Sequence, residues 1–113
     1  VAVGTVHGFY KAEPKLDFDR IGKIHSLLPS TPLVLHGGTG VPYDDFRKAI
    51  KLGIRKINVG TELKVHGVFD TSVAGYNDPA SKSDPRAVSK LVIAKVSSIC
   101  GEIIDVMGSE NRA

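Results

Sequence analysis

The chain has 113 residues, 42% of them hydrophobic and 24% charged, which is ordinary material for one modest globular domain with a core of its own. A net charge of +3, carried by basic residues interleaved with acids and unaccompanied by tryptophan, argues against a nucleic-acid surface, and no apolar run approaches the ~18 residues that span a bilayer. The single cysteine, Cys100, excludes an internal disulfide framework and fits a reducing, cytoplasmic compartment.

Val1 to Thr5 is a short apolar run read as a strand, and it ends at Val6-His7-Gly8. It has no basic leader and no cleavage pattern, so no signal peptide is expected there. With no initiator methionine either, the chain is expected to be a piece of something longer. Phe9 to Lys15 reads as loop, with Pro14 blocking a helix. Asp17 is placed to cap a helix over Phe18 to Leu28, where Ile21, Ile24, Leu27 and Leu28 recur at helical spacing and Pro29 stops the run. His25 on this helix is expected to be exposed and without a role.

Leu33 to Leu35 is a second strand, apolar without alternation, as expected when both faces of a parallel sheet are covered. It delivers His36 into Gly37-Gly38-Thr39-Gly40. Pro42 is then expected at the first position of a helix, with Asp44 and Asp45 in its first turn, Phe46, Ala49 and Ile50 on its buried face, and Gly53 just past its end. Ile54 to Val59 is the third strand. Its tip, Asn58-Val59-Gly60-Thr61, runs into a further helix at Glu62-Leu63-Lys64. Thr71 to Pro85, rich in Ser, Asp, Asn, Gly and Pro, is expected to be loop. A last helix begins near Pro85 with Asp84 or Ser83 as its cap. Val88, Leu91, Val92, Val96, Ile99, Ile103 and Met107 form its apolar stripe, and Gly108 to Ala113 is a polar tail.

Strand–helix repeated three times predicts a parallel α/β architecture. An open three-stranded sheet would leave two bare edges and too little core. The closing portion of a (β/α)8 barrel, about strands six to eight with their helices, would find its missing neighbours elsewhere, and a whole barrel needs ~250 residues. Residues 1–113 are therefore expected to form one partial barrel domain.

The same layout of apolar strand, histidine and glycine occurs twice. Parallel strands ending in this way carry both imidazoles to one rim, and neutral imidazole is a common zinc ligand. His7 and His36 make two of the three protein ligands a catalytic zinc needs. His66, on a helix beyond the last strand, is a poor third, so the third is expected outside this chain. The loops Gly37–Gly40 and Asn58–Thr61 have the glycines and hydroxyls of an anion cradle before a helix. Plain turn chemistry would explain either loop taken alone.

Three motifs, Gly4-Thr5-Val6-His7-Gly8, Pro32-Leu33-Val34-Leu35-His36-Gly37-Gly38-Thr39-Gly40-Val41-Pro42 and Lys56-Ile57-Asn58-Val59-Gly60-Thr61-Glu62-Leu63, resemble in order the carboxyl-terminal part of class II, metal-dependent ketose-bisphosphate aldolases. The resemblance extends through Leu16-Asp17-Phe18, Asp84-Pro85-Arg86 and the terminal Gly108 to Ala113. It implies cleavage of fructose 1,6-bisphosphate to glycerone phosphate and glyceraldehyde 3-phosphate, or of tagatose 1,6-bisphosphate, with Zn2+ held by His7 and His36. It implies substrate contacts at Gly8, at Gly37, Gly38 and Thr39, and at Asn58, Val59, Gly60 and Thr61. It also implies a monovalent cation, Na+ or K+, on the backbone of Val6, Gly8 and Gly37. Arg86 matches an arginine that reaches the second phosphate from a neighbouring subunit, which implies a homo-oligomer, a dimer or tetramer. The family's proton-transfer aspartate is not identifiable in this chain, so the chain alone is expected to be inactive. A non-catalytic phosphate-binding half-barrel is the alternative, and neither nucleic acid nor membrane is an expected partner.

Overall fold

The computed structural model describes residues 3–5 and 14–112. It forms two compact units, Val1–Gly60 and Thr61–Ala113.

The first unit contains α1 (Phe18–Leu27), β1 (Leu33–Leu35), α2 (Tyr43–Lys51) and β2 (Ile54–Ile57). α1 starts as its sequence predicts: the Asp17 carboxylate accepts the Arg20 backbone N–H at 2.9 Å, satisfying one of the donors a helix start leaves unpaired. Leu28 ends the helix as its cap, donating back to Ile24 and His25. Pro42 stands outside α2, as its cap rather than its first residue, because its ψ of 140° is extended. The two first-turn carboxylates are tied to basic residues three positions on, Asp44 to Arg47 at 2.9 Å and Asp45 to Lys48 at 3.6 Å. Phe46 and Ala49 are buried as predicted, and Ile50 is half-buried.

β1 and β2 are parallel and pair Leu33 with Ile54, Val34 with Lys56, and Leu35 with Ile57. The register slips between Leu33 and Val34, leaving Arg55 as an extra residue on β2. This bulge lets Ile54 and Ile57, three apart, both stand opposite leucines of β1, which simple alternation forbids. Arg55 is held in the bulge by Nη1, which donates to the carbonyls of Ile50 and Ile54 at 2.9 and 3.1 Å. The core of this unit is Val3, Leu16, Ile21, Leu33, Leu35, Val41, Phe46, Ala49 and Ile54.

Two expectations for this unit are corrected. Val3–Thr5, the described part of the first expected strand, is irregular: Gly4 turns the chain at φ +100°, and its backbone lies so close to the Lys15 carbonyl that a Cβ there would overlap it. Val3 instead accepts the Asp17 N–H at 3.0 Å, so this segment is tied to the start of α1. Among the described residues the sheet has two strands. His25 is half-buried, not exposed, because Gly53, at φ +114°, offers a bare backbone against which the imidazole rests.

The second unit is helical. Glu62–Phe69 is wound as a π-helix and continues into α3 (Asp70–Asn77); a 3-10 turn at Pro79–Ser81 leads to α4 (Pro85–Met107). Most of the stretch expected to be loop, Thr71 to Pro85, is thus ordered helix. Its one glycine, Gly75, read as loop composition, is a small residue at a helix contact. A Cβ on Gly75 would stand 3.1 Å from Val88 Cγ1, and one on Gly67 3.0 Å from Val96 Cγ2. Tertiary packing here overrides propensity. Ser81, buried, has its hydroxyl 2.6 Å from the Gly75 carbonyl and 2.8 Å from that of Asp78. The cap of α4 is Asp84, accepting the Arg86 N–H at 2.9 Å, whereas Ser83 lies at φ +55°. Gly108 ends the helix in the left-handed region at φ +63°. Of the α4 stripe, Val88 and Ile99 are buried, joined by Val106, while Leu91 keeps 46% of its surface exposed. None of the described helices is long and apolar enough to cross a membrane.

Candidate metal and phosphate site

The end of β1 is where chemistry-bearing groups gather. After Leu35 the ladder makes one more bond, from the Asn58 N–H to the Leu35 carbonyl at 2.9 Å, so His36 and Asn58 leave adjacent strand tips side by side. Asn58 Nδ2 stands 3.1 Å from His36 Nδ1. An amide NH2 can only donate, so in this setting Nδ1 accepts; with the amide turned over, Oδ1 would instead accept from Nδ1–H, leaving the lone pair on Nε2. Either way one ring nitrogen is fixed by the amide. The His36 carbonyl, just past β1, accepts the Thr5 hydroxyl at 2.6 Å.

The glycines then make a tight turn. Gly37, buried, has φ +68°, and Gly40 has φ +73°, a region that suits glycine and little else. Gly38 donates to the Asn58 carbonyl at 3.3 Å, and Val41 to the Gly38 carbonyl at 3.4 Å. A Cβ on Gly38 would lie 3.1 Å from the Asn58 oxygen and 3.3 Å from Ile57, so the close approach of the two loops requires a residue without a side chain. The turn feeds α2 through Pro42, which supplies no side-chain cap to the first-turn amides.

Of the residues singled out from sequence, His36, Gly37, Gly38, Thr39, Asn58, Val59 and Gly60 belong to the first unit, and the bonds above bring His36, Gly38 and Asn58 together. Val6, His7 and Gly8 lie outside the described residues. Thr61 and Arg86 belong to the second unit. Arg86 projects into solvent with its guanidinium on Asp84, at 3.0 and 3.2 Å. This ion pair, with the Arg86 backbone N–H, holds the Asp84 carboxyl below its ordinary pKa. His66, on the π-helix, pairs with Asp70 at 2.8 Å. Among the described residues no three His, Cys, Asp or Glu side chains come together as a metal site. Thr5 was read from sequence only as part of a strand and of a motif; its bond to His36 was missed. The signal was faint, since a threonine at a strand tip is ordinary.

A family model for class II fructose-bisphosphate aldolases matches residues 1–112. The chain belongs to the class II fructose-bisphosphate aldolase family. Solved aldolase structures of the same α/β fold agree. The YdjI aldolase of Escherichia coli K12 is 32% identical, with a TM-score of 0.81 over 99% of this chain. A putative fructose-1,6-bisphosphate aldolase from Coccidioides immitis is 27% identical, with a TM-score of 0.76 over 98%. The chain spans 40% and 38% of the lengths of these two aldolases. A metal-ligating histidine donates its other ring N–H to a neighbouring acceptor, so His36, with the Asn58 amide turned to put Oδ1 on Nδ1–H and Nε2 left free, fits the zinc on which class II aldolases generally depend.

Proposed function

We propose that this chain forms about strands six to eight of a (β/α)8 barrel that cleaves fructose 1,6-bisphosphate to glycerone phosphate and glyceraldehyde 3-phosphate. The observation that carries the reading is the His36–Asn58 pair at 3.1 Å beside a glycine turn at one sheet rim.

In this reading His36 holds zinc together with His7 and a ligand from outside the chain. Zinc, when bound, supplies Lewis acidity to the negative charge that develops on substrate oxygens during aldol cleavage. Asn58 keeps the His36 ring oriented, and its amide lies where it can also donate to a substrate oxygen. Gly37, Gly38 and Thr39, with Val59, Gly60 and Thr61, hold the phosphate of the glycerone half through backbone N–H groups and hydroxyls. Gripping the phosphate fixes the reacting carbons in place, the entropic share of catalysis. Arg86 takes the second phosphate in a homo-oligomer, a dimer or tetramer, and backbone around Val6, Gly8 and Gly37 holds a monovalent cation. The proton-transfer group comes from outside these residues, and the assembled enzyme works in the cytoplasm.

The test uses the complete barrel. His36→Ala should lose zinc, measured by elemental analysis, and cleavage of fructose 1,6-bisphosphate should fall with it. Wild-type turnover in that variant would overturn the reading. Faster cleavage of the tagatose isomer would move the substrate assignment.

A further inference from the structure

We propose that Thr5 is a positioning residue, which sets the aim of His36 by holding the peptide that follows it. The inference rests on reading His36 as a metal ligand, and it assigns the work of orientation to a second residue besides Asn58.

The His36 carbonyl lies just past β1, in the short span between the Asn58 N–H to Leu35 carbonyl bond and the Gly38 N–H to Asn58 carbonyl bond. The residue after it is Gly37, at φ +68°, for which the mirror-related backbone conformation costs little. A peptide followed by glycine can rotate as a unit, and such a rotation would turn the Gly37 N–H and tilt the backbone from which the imidazole projects. The Thr5 hydroxyl, 2.6 Å from the His36 oxygen, selects one of these orientations.

Thr5 is itself held. Two residues before it, Val3 is fully buried and accepts the Asp17 N–H at 3.0 Å, and Gly4 is pressed against the Lys15 backbone. The hydroxyl is thus anchored to the start of α1. His36 is gripped at two points: its ring by Asn58 on β2, and its carbonyl by Thr5. Partners one shell away from a metal govern how well the ligand is presented.

The experiment compares Thr5→Val, which keeps the branched shape and loses the donor, with Thr5→Ser, which keeps the donor, in the complete barrel. Zinc affinity is measured by competition with a chelator. Thr5→Val should bind zinc ~10–100-fold more weakly, and Thr5→Ser should stay close to wild type. In the metal-free protein the Gly37 amide resonance should shift or split in Thr5→Val and not in Thr5→Ser, with the melting temperature little changed. Should Thr5→Val not fold, Thr5→Ala against Thr5→Ser carries the same comparison.

Equal affinity in Thr5→Val and wild type, or equal weakening in Thr5→Val and Thr5→Ser, would overturn the proposal. His36→Ala separates the two readings. Loss of zinc there, with Thr5→Val unaffected, sinks the role of Thr5 alone. If His36→Ala keeps its zinc the metal reading falls, and the Gly37 resonance then decides whether Thr5 holds the peptide.

Discussion

The two parallel strands have a histidine near each end, one following β1 and one packed from α1, and the two could hardly be treated more differently. His36, past the carboxyl end of β1, is exposed, with its Nδ1 beside the Asn58 amide. His25, from α1, is half-buried against Gly53 just before β2, and its Nδ1 is shut away from water with no hydrogen-bond partner. A ring packed with its Nδ1 buried and unpartnered serves as a packing element. Exposure with an oriented nitrogen gives a ring that can serve as a ligand. Residue type does not separate them; the end of the strand does, because glycine loops and polar tips collect at the carboxyl ends.

Exchanging the roles of the two histidines is the strongest way to break this contrast. In the complete barrel, His36→Ala should cost at least about 100-fold in zinc affinity, since a lost ligand outweighs a lost neighbour of a ligand, whereas His25→Ala should leave zinc unchanged by the same competition assay. A parallel loss from both would end the distinction. A related expectation concerns the chain alone: these 113 residues with added zinc should show only background cleavage, and a robust metal-dependent rate would show that the rim described here is sufficient.

A smaller effect probes the packing end. Gly53→Ala places a methyl 2.7 Å from His25 Nδ1 and demands φ +114° of an alanine. It should destabilise by about 2–4 kcal/mol in urea unfolding, combining overpacking with left-handed strain. In a His25→Ala background the clash with the ring should vanish, leaving the 2.9 Å approach to the Cβ and about 1–2 kcal/mol of backbone strain. Additive losses would mean that the ring and the glycine do not touch in solution.

The smallest effect serves as a control away from both histidines. Asp84 caps α4, and its carboxyl is held below its ordinary pKa first by the Arg86 side chain and then by the Arg86 N–H. A depressed folded pKa contributes stability above the unfolded value and loses it as pH falls through the folded one. Asp84→Asn should therefore lower the melting temperature slightly at neutral pH, with the difference closing in strong acid. A difference that grew on acidification would reverse the assignment.

Much of this was readable from the chain because the signals were local. Asp17 and Asp84 act as caps at the positions their sequences predict, Gly53 and Gly108 end helices in left-handed geometry, and β1 emerged from three apolar residues. The aldolase family followed from three motifs in order. What escaped reading depends on contacts between distant residues. α3 was hidden because Gly75 looks like a loop residue until Val88 and Leu91 are set against it. His25 seemed exposed because Gly53, 28 positions away, leaves no trace in the helical pattern. Thr5 meets His36 across 31 residues, and nothing in either neighbourhood announces the bond.

The π-wound stretch Glu62–Phe69 gives this protein slack in residue count in a place where residue identity is constrained at Gly67. Asp70 donates to Val65, five residues back, so the coil is one residue looser than an α-helix. Deleting a single residue there would let the coil tighten into an α-helix, taking up the loss within the stretch. Homologues one residue shorter here should be wound as a plain α-helix and still carry a small residue against Val96.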